Sequence, residues 1–268
     1  MSFSENRLTL AVCTLFVLAA GFGQSPIAGE IQGNAINTAR AQRQYDERGA
    51  ISLLPRHGVS RTFSIVAADP ETGVCGAAVA SKYPAVGKVV PYVRAGVGAF
   101  CTQHWHHPDW GEPALDMLAA GKSPEDVLAE LLRDDPRRGQ RQLAIIDVHG
   151  RVANHNPQEA GGDSRWWGAM SGRYYSCQGN TLAGRAVITA MAAAYEETNG
   201  TLADRLMAAL VAGDGAGGDH RGRLAAGIRL AKPGVEGYWF ELHVDRHDDA
   251  VEQLARKYAE LEHEAKGE

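Results

Sequence analysis

The sequence predicts an α+β fold, a layered sandwich of two mostly antiparallel sheets with helices on their outer sides. Strand-like runs occur in neighbouring pairs separated by short turns, and the helical runs also occur in pairs. This order differs from the one-by-one alternation of strands and helices in a doubly wound parallel sheet. The 268 residues, 44% of them hydrophobic, are enough to bury one large core, so a single folded domain is expected.

The chain begins with a segment that is typical of export. Arg7 precedes an apolar stretch from Leu8 to Ala20, which small residues follow, so residues 1–28 are predicted to be a signal peptide. An uncleaved anchor is the alternative, although the stretch is short for a membrane span. Residues 29–60 are polar and aperiodic, as in a linker or mobile arm, and residues 61–268 form the predicted domain.

The first strands of the domain are predicted to form a β-hairpin around the turn DPETG. If Asp69 pairs with Val74 across this turn, antiparallel register places Thr62 opposite Ser81. The runs KVVPYVRAG and VGAFCTQ are expected to add two strands to the same sheet. The hairpin therefore begins and ends on hydroxyl residues.

The remaining elements follow from periodicity and capping signals. A serine, a proline and two acidic residues at 123–126 are typical of a helix start. The expected helices are 112–120, 124–133, 184–198, 202–212 and 250–264, and the expected further strands are 142–150, RVANH, GRYYSCQGN, RLAAGIRLAK and YWFELHVD.

Hydroxyl groups converge at the open end of the predicted hairpin. Thr62 and Ser64 share a face because side chains alternate along a strand, and Lys82 follows Ser81 directly. A hydroxyl beside an amine can act as an activated nucleophile. The alternative is that threonine and serine occur here because they favour strands and strand ends.

A candidate oxyanion site follows the strand GRYYSCQGN. Gln178 and Asn180 lie two residues apart, so alternation places both amide side chains on one side. Neutral donors at such a place can stabilise charge that develops in a transition state. The alternative is that Asn180 caps the next helix and Gln178 is an amide at the sheet edge.

The glycine-rich loop GDGAGGDHRG carries charged residues that suit an anion. Arg221 could hold a substrate carboxylate in two hydrogen bonds, with Asp219 orienting it and His220 beside them. A solvated turn is the alternative, since glycine and aspartate are common in turns. The loop has neither a Walker motif nor a GxGxxG motif, so nucleotide binding is not indicated.

The segment QHWHHPD is the densest histidine cluster in the chain. We interpret this segment as a binding loop with Trp105 and Trp110, in which Gln103 and His104 line a substrate pocket. A zinc site formed by His104 and His106 is a weaker alternative, because no HExxH or CxxC motif accompanies them. No metal or other cofactor is therefore expected.

Three cysteines remain after the predicted signal peptide, namely Cys75, Cys101 and Cys177. An odd number leaves room for at most one internal disulfide. No histidine stands at a spacing that would activate a thiol, so buried structural cysteines are favoured over a nucleophile.

Several motifs together resemble the bacterial family known as domain of unknown function 1028. They are TFSIVAADPETG, GAAVASKYPAVG, VVPYVRAGVGA, TQ, CQGN, LAG, GGDHRG and LHVDRHDDAVEQL, and they span about residues 61–261. The resemblance implies an N-terminal nucleophile (Ntn) hydrolase-like fold, which is a four-layer αββα sandwich. The element order derived above agrees with that fold.

The resemblance also implies an amide-bond hydrolase in which the first residue of the first strand attacks and its own free α-amine acts as the base. Thr62 matches that position. An unperturbed α-amine titrates at about 7.7–8.0, so it can accept the hydroxyl proton near neutral pH. Thr62 lies far beyond the expected signal cleavage site, so a second cut between Arg61 and Thr62 is required.

The sequence therefore leads to one main expectation, an exported hydrolase, periplasmic or extracellular, of a small amide or related C–N bond. The expected catalytic residues are Thr62, Ser64, Ser81, Lys82, Gln178 and Asn180, and the expected substrate-binding residues are Gln103, His104, Asp219, His220 and Arg221. A non-catalytic extracytoplasmic binding protein on the same fold is the alternative. The net charge of −5 gives no basic surface for nucleic acid, so a small molecule is the expected partner, and a homodimer is left open.

Overall fold

The computed structural model describes residues 62–158 and 164–266, together with three short strands before them. The expected signal peptide, residues 1–28, and most of the expected arm, residues 29–60, lie outside the described residues. The described strands are β1 (Gln44–Tyr45), β2 (Ile51–Ser52), β3 (Val59–Ser60), β4 (Thr62–Asp69), β5 (Val74–Ser81), β6 (Pro91–Arg94), β7 (Gly98–Trp105), β8 (Arg141–Asp147), β9 (Val152–His155), β10 (Gly168–Gly172), β11 (Tyr175–Gly179), β12 (Ala225–Ala231) and β13 (Phe240–Val244). The described α-helices are α1 (Gly111–Ala119), α2 (Pro124–Leu132), α3 (Ala186–Glu197), α4 (Leu202–Gly215) and α5 (Ala250–Lys266).

Two antiparallel sheets form the centre of the described chain, which confirms the predicted α+β class. The first sheet has six strands in the order β10-β11-β4-β5-β12-β13. The second has five, in the order β3-β7-β8-β9, with β6 also paired to β7. β1 and β2 form a separate two-stranded sheet among the described strands. Five α-helices accompany the sheets in the part of the chain that the structure describes.

The register of the first hairpin is the one that the sequence predicts. Asp69 pairs with Val74 and Thr62 pairs with Ser81. The side chain of Asp69 stabilises the turn, since its carboxylate accepts hydrogen bonds from the Glu71 amide at 3.0 Å and from the Thr72 hydroxyl at 2.6 Å. Local turn chemistry thus sets where Thr62 lies in the sheet.

The expectation that the first four strands share one sheet is wrong. β4 and β5 belong to the first sheet, whereas β6 and β7 belong to the second. The segment between β5 and β6 contains a 3₁₀ turn at Val86–Lys88, and Val86 and Val90 pack into the core between the sheets. Burial of these apolar side chains carries the chain across to the other sheet, which strand periodicity alone does not reveal.

The apolar side chains that the structure describes form three cores. Phe63 and Ile65 of β4 pack against α3, α4 and α5, whereas Val66 faces the second sheet together with Val79 of β5. A third core joins the far side of the second sheet to α1 and α2 through residues such as Phe100. Alternation along β4 therefore directs Thr62 and Ser64 toward the second sheet, the opposite side from Phe63.

Helix α2 begins at the predicted capping residue. The Ser123 hydroxyl accepts a hydrogen bond from the Asp126 amide at 3.2 Å, and Pro124 occupies the first turn of α2. Thr201 and Asp204 form a capping box at the start of α4. Among the described residues, no helix is long and apolar enough to cross a membrane.

Candidate functional site

A group of seven neutral polar side chains around Thr62 and Ser64 lies between the two sheets, next to the apolar core that joins them. Each is fully buried, although such side chains are usually exposed. Four strands supply most of them, because β4 pairs with both β5 and β11 while β7 faces β4 from the second sheet. We call this set the polar layer, and its members are Thr62, Ser64, Ser81, Gln103, Gln142, Gln178 and Asn180.

The Thr62 hydroxyl lies against a second hydroxyl. Thr62 Oγ1 donates to Ser81 Oγ at 3.4 Å, and Ser81 Oγ also accepts from the Tyr83 amide at 3.1 Å. The main-chain oxygen of Thr62 accepts a hydrogen bond from the main-chain N–H of Asn180 at 2.9 Å and another from Gln103 Nε2 at 3.3 Å. The first residue of β4 is therefore held through its main chain as well as its side chain.

Ser64 links amide side chains from both sheets. Its hydroxyl donates to Gln103 Oε1 at 2.7 Å and accepts from Gln178 Nε2 at 3.4 Å. Gln178 is the register partner of Ser64 in the β11–β4 pair. The sequence placed these residues in one site, and the structure brings them together.

Gln142 is a central residue of the site that the sequence did not indicate. It lies on β8, in register with Gln103 of β7. Gln142 Nε2 donates to the main-chain oxygen of Gly179 at 2.8 Å, to Asn156 Oδ1 at 2.9 Å and to the main-chain oxygen of Gly168 at 3.3 Å. One buried amide group therefore ties the second sheet to β10 and β11.

The oxygen of the same side chain orients two other residues. Gln142 Oε1 accepts from Gln103 Nε2 at 2.8 Å and from Asn180 Nδ2 at 2.8 Å. In the sequence Gln142 is one polar residue near the start of a strand, and its importance is recognised only when β8 is known to pair with β7. Gln142 is a positioning residue for Gln103 and Asn180.

Two amide oxygens in the polar layer remain without a hydrogen-bond partner among the described residues. They are Gln178 Oε1 and Asn180 Oδ1, and both are buried. The amide nitrogens of these residues make one hydrogen bond each, to Ser64 and Gln142. Since an NH2 group carries two hydrogens, one of them is left for the predicted oxyanion interaction, and that role stays a prediction.

Lys82 lies at the edge of the site and is exposed to solvent. Its ammonium group donates to the main-chain oxygen of Arg221 at 2.8 Å. The structure thus joins the end of the first hairpin to the glycine-rich loop. A role for Lys82 in activating Thr62 remains a prediction.

The glycine-rich loop is held in place by an internal ion pair. Asp219 is buried, and its carboxylate accepts two hydrogen bonds from the Arg221 guanidinium, at 3.0 and 2.5 Å. The His220 amide donates to the main-chain oxygen of Thr181 at 3.1 Å, directly after Asn180. The loop therefore borders the polar layer, and a substrate carboxylate would share Arg221 with Asp219.

His104 lies at the end of β7 in the left-handed region, with φ at 64°. Its ring is buried and Nδ1 donates to the main-chain oxygen of Gln140 at 2.6 Å. His106 is also buried. No group of three or more histidine, cysteine, aspartate or glutamate side chains among the described residues could hold a metal ion.

The three cysteines of the domain are buried free thiols. Burial raises the pKa of Cys75 and of Cys101 to about 12, and it also raises the pKa of Cys177. At neutral pH they are protonated and poorly nucleophilic. This agrees with structural cysteines rather than catalytic ones.

Residues 62–254 match a protein family described as a family of unknown function, DUF1028. The chain belongs to the DUF1028 family. It is similar to the crystal structure of the DUF1028 protein SPO2555 from Silicibacter pomeroyi, with 32% sequence identity over 75% of this chain and 89% of that chain, and a TM-score of 0.67. No curated protein matches this chain. The DUF1028 match begins at Thr62, the first residue of β4.

Proposed function

We propose that this DUF1028 chain is an exported hydrolase of a small amide or related C–N bond, with Thr62 as the nucleophile after a cut between Arg61 and Thr62. One observation carries the proposal. Thr62 opens β4 in the middle of the first sheet, and its hydroxyl donates to Ser81 within a layer of neutral hydroxyl and amide side chains. Such a layer can orient a nucleophile and supply neutral donors to an oxyanion.

We further propose that the fold is the four-layer αββα sandwich of Ntn hydrolases. The three apolar cores support this, because one separates the two sheets and the others lie between each sheet and its helices. The start of the DUF1028 match at Thr62 also supports it, since that residue would be the first of the processed chain.

The proposed reaction has two steps. The Thr62 hydroxyl oxygen attacks the amide carbonyl carbon while the freed α-amine accepts its proton and passes it to the leaving nitrogen. The C–N bond breaks, the amine departs and an ester to Thr62 remains. Water then hydrolyses the ester and restores the hydroxyl.

The surroundings of Thr62 suit a neutral α-amine. The polar layer carries no charged side chain, and removal from water would disfavour the ammonium form of an amine freed there. A larger fraction of the amine is then able to accept a proton at neutral pH. Ser81, as the acceptor for the Thr62 hydroxyl, would orient that group before it attacks.

Processing can be tested by measuring the intact mass of the purified full chain and sequencing its N-terminus. We expect a product that begins at Thr62. Thr62→Ser keeps a hydroxyl and is expected to keep the cut if processing is autocatalytic, whereas Thr62→Ala is expected to abolish it. A mature N-terminus far from Thr62 in the wild-type protein would exclude the free-amine mechanism.

Activity can be tested by screening small amides for turnover with the processed protein. We expect turnover by the wild type, retained activity in Thr62→Ser and none in Thr62→Ala. Ser123→Ala, which changes only a helix cap far along the chain, is the control for general damage. Equal turnover by wild type and Thr62→Ala would refute Thr62 as the nucleophile.

The alternative is a non-catalytic extracytoplasmic binding protein on the same fold. Its supporting observation is that Thr62 is fully buried in the uncut chain. An uncut, inactive protein that still binds a small ligand would favour this alternative. Export, proposed from residues 1–28, is tested by locating the protein in cell fractions.

A further inference from the structure

The orientation of every amide in the polar layer can be traced to main-chain oxygens, which only accept hydrogen bonds. The main-chain oxygens of Gly168 and Gly179 accept hydrogen bonds from Gln142 Nε2, so the other polar atom of this side chain, Oε1, is an acceptor. Gln142 Oε1 accepts a hydrogen bond from Asn180 Nδ2, which turns Asn180 Oδ1 away from Gln142. An exchange of nitrogen and oxygen in either side chain would place two acceptors against each other.

The amides on the other side of the layer are oriented in the same way. The main-chain oxygen of Thr62 accepts a hydrogen bond from Gln103 Nε2, so Gln103 Oε1 is the acceptor for the Ser64 hydroxyl. The single hydroxyl hydrogen of Ser64 is donated to Gln103, so Ser64 Oγ can only accept from Gln178 Nε2. Gln178 Oε1 is therefore an acceptor to which no group of the network donates. Both chains of hydrogen bonds end in an acceptor.

Both acceptors belong to the polar layer that contains Thr62. Gln178 lies in β11 opposite Ser64, whereas Asn180 follows the end of that strand and its main-chain N–H donates to the Thr62 oxygen. Residues two positions apart have Cα atoms at most about 7 Å from each other. The two acceptors of one NH2 group lie about 5 Å apart, given hydrogen bonds of about 2.9 Å, so the spacing of the two residues permits both oxygens to accept from one NH2 group. A buried acceptor without a donor is unfavourable, so a ligand that supplies N–H groups here gains affinity.

The layer also indicates the charge of the ligand. All seven of its side chains are neutral, and the acidic side chain at its border, Asp219, is paired with Arg221. An ammonium group buried here would lack a counter-charge, which is costly. A neutral NH2 group next to a carbonyl supplies two N–H donors and carries no charge, so it fits both the acceptors and the neutral surroundings.

We propose that the polar layer binds the NH2 group of a primary carboxamide or a urea through Gln178 Oε1 and Asn180 Oδ1. This rests on the proposed function, because it places the NH2 group beside the proposed nucleophile. It narrows the substrate class to compounds with an unsubstituted amide nitrogen. Hydrolysis of such a compound at that bond would release ammonia.

The test is a ligand-observed NMR titration of the purified full chain, in whatever processed form it is obtained. Acetamide and urea are the NH2 probes, and N,N-dimethylacetamide and methylammonium are the probes that lack a neutral NH2 group. We expect saturable binding of acetamide or urea, at least about tenfold tighter than that of N,N-dimethylacetamide. Equal binding of the two amides, preference for methylammonium, or no saturable binding of either NH2 probe would overturn the proposal.

Gln178→Met is the diagnostic variant, because it removes one acceptor and only one long hydrogen bond. We expect the preference for acetamide over N,N-dimethylacetamide to fall about fivefold or more, with Gln253→Met on α5 as the matched control that leaves it unchanged. An unchanged preference in Gln178→Met would overturn the assignment. Binding without ammonia release would count against the hydrolase and leave the NH2 site standing, so the two failures are distinguishable.

Discussion

Replacing Gln142 with methionine removes the central residue of the polar layer while nearly preserving its volume. The wild-type NH2 group shares its two hydrogens among three acceptors, and the amide oxygen accepts from two donors. Without it, the Gly179 main-chain oxygen loses a 2.8 Å bond and Asn180 Nδ2 loses the hydrogen bond that orients it. Because both groups are buried, the variant leaves polar atoms inside the protein without their partners.

The loss can be estimated from these two groups. A buried polar atom without a partner costs about 1–3 kcal/mol, so the pair costs about 2–6 kcal/mol. The apolar methionine side chain offsets part of this, and we expect the free energy of unfolding to fall by about 2–4 kcal/mol. Gln178→Met is the matched comparison, since Gln178 is equally buried but makes one 3.4 Å bond, and its loss is expected to stay within about 1 kcal/mol.

Urea denaturation of the full chain, followed by circular dichroism, measures both variants against the wild type. We expect Gln142→Met to unfold at a clearly lower urea concentration than Gln178→Met. If the two variants unfold at the same urea concentration, the hydrogen bonds of Gln142 do not stabilise the fold. A Gln142→Met protein as stable as the wild type would refute the network outright.

Three further predictions follow from the structure. Cys75 and Cys101, whose pKa values burial raises to about 12, are expected to resist iodoacetamide in the native protein and to react after unfolding, as mass spectrometry would show. Burial opposes ionisation of Asp135, but hydrogen bonds from buried Arg141 outweigh this effect and lower the pKa of the carboxyl. The ion pair therefore stabilises the fold at pH values above the ordinary pKa of aspartate, and this contribution is lost as the pH falls through the lowered pKa. Asp135→Ala is accordingly expected to cost about 3–5 kcal/mol at pH 7 and to flatten that acid dependence in pH-dependent denaturation. Thr201→Ala removes a capping box and is expected to lower the Tm by about 2–4 °C for a loss of about 1 kcal/mol, and an unchanged melting curve would contradict this.

Local chemistry determined much of this fold from the sequence alone. The aspartate and glycine of the first turn specify a tight connection, and the period of two on either side then places Thr62 opposite Ser81. Ser123 and Pro124 likewise mark the start of α2. In these cases the deciding contacts join residues a few positions apart, so the sequence contains them directly.

The tertiary structure alone decided which sheet each strand joins and how the site is connected. β6 and β7 cross to the second sheet because Val86 and Val90 are buried between the sheets, a choice that depends on the packing of distant segments. Gln142 became important only when β8 was placed beside β7 and its amide met β10 and β11. Hydrogen bonds between remote strands depend on the three-dimensional arrangement, so the direction of the network, and the two acceptors at its end, could not be obtained from residue order.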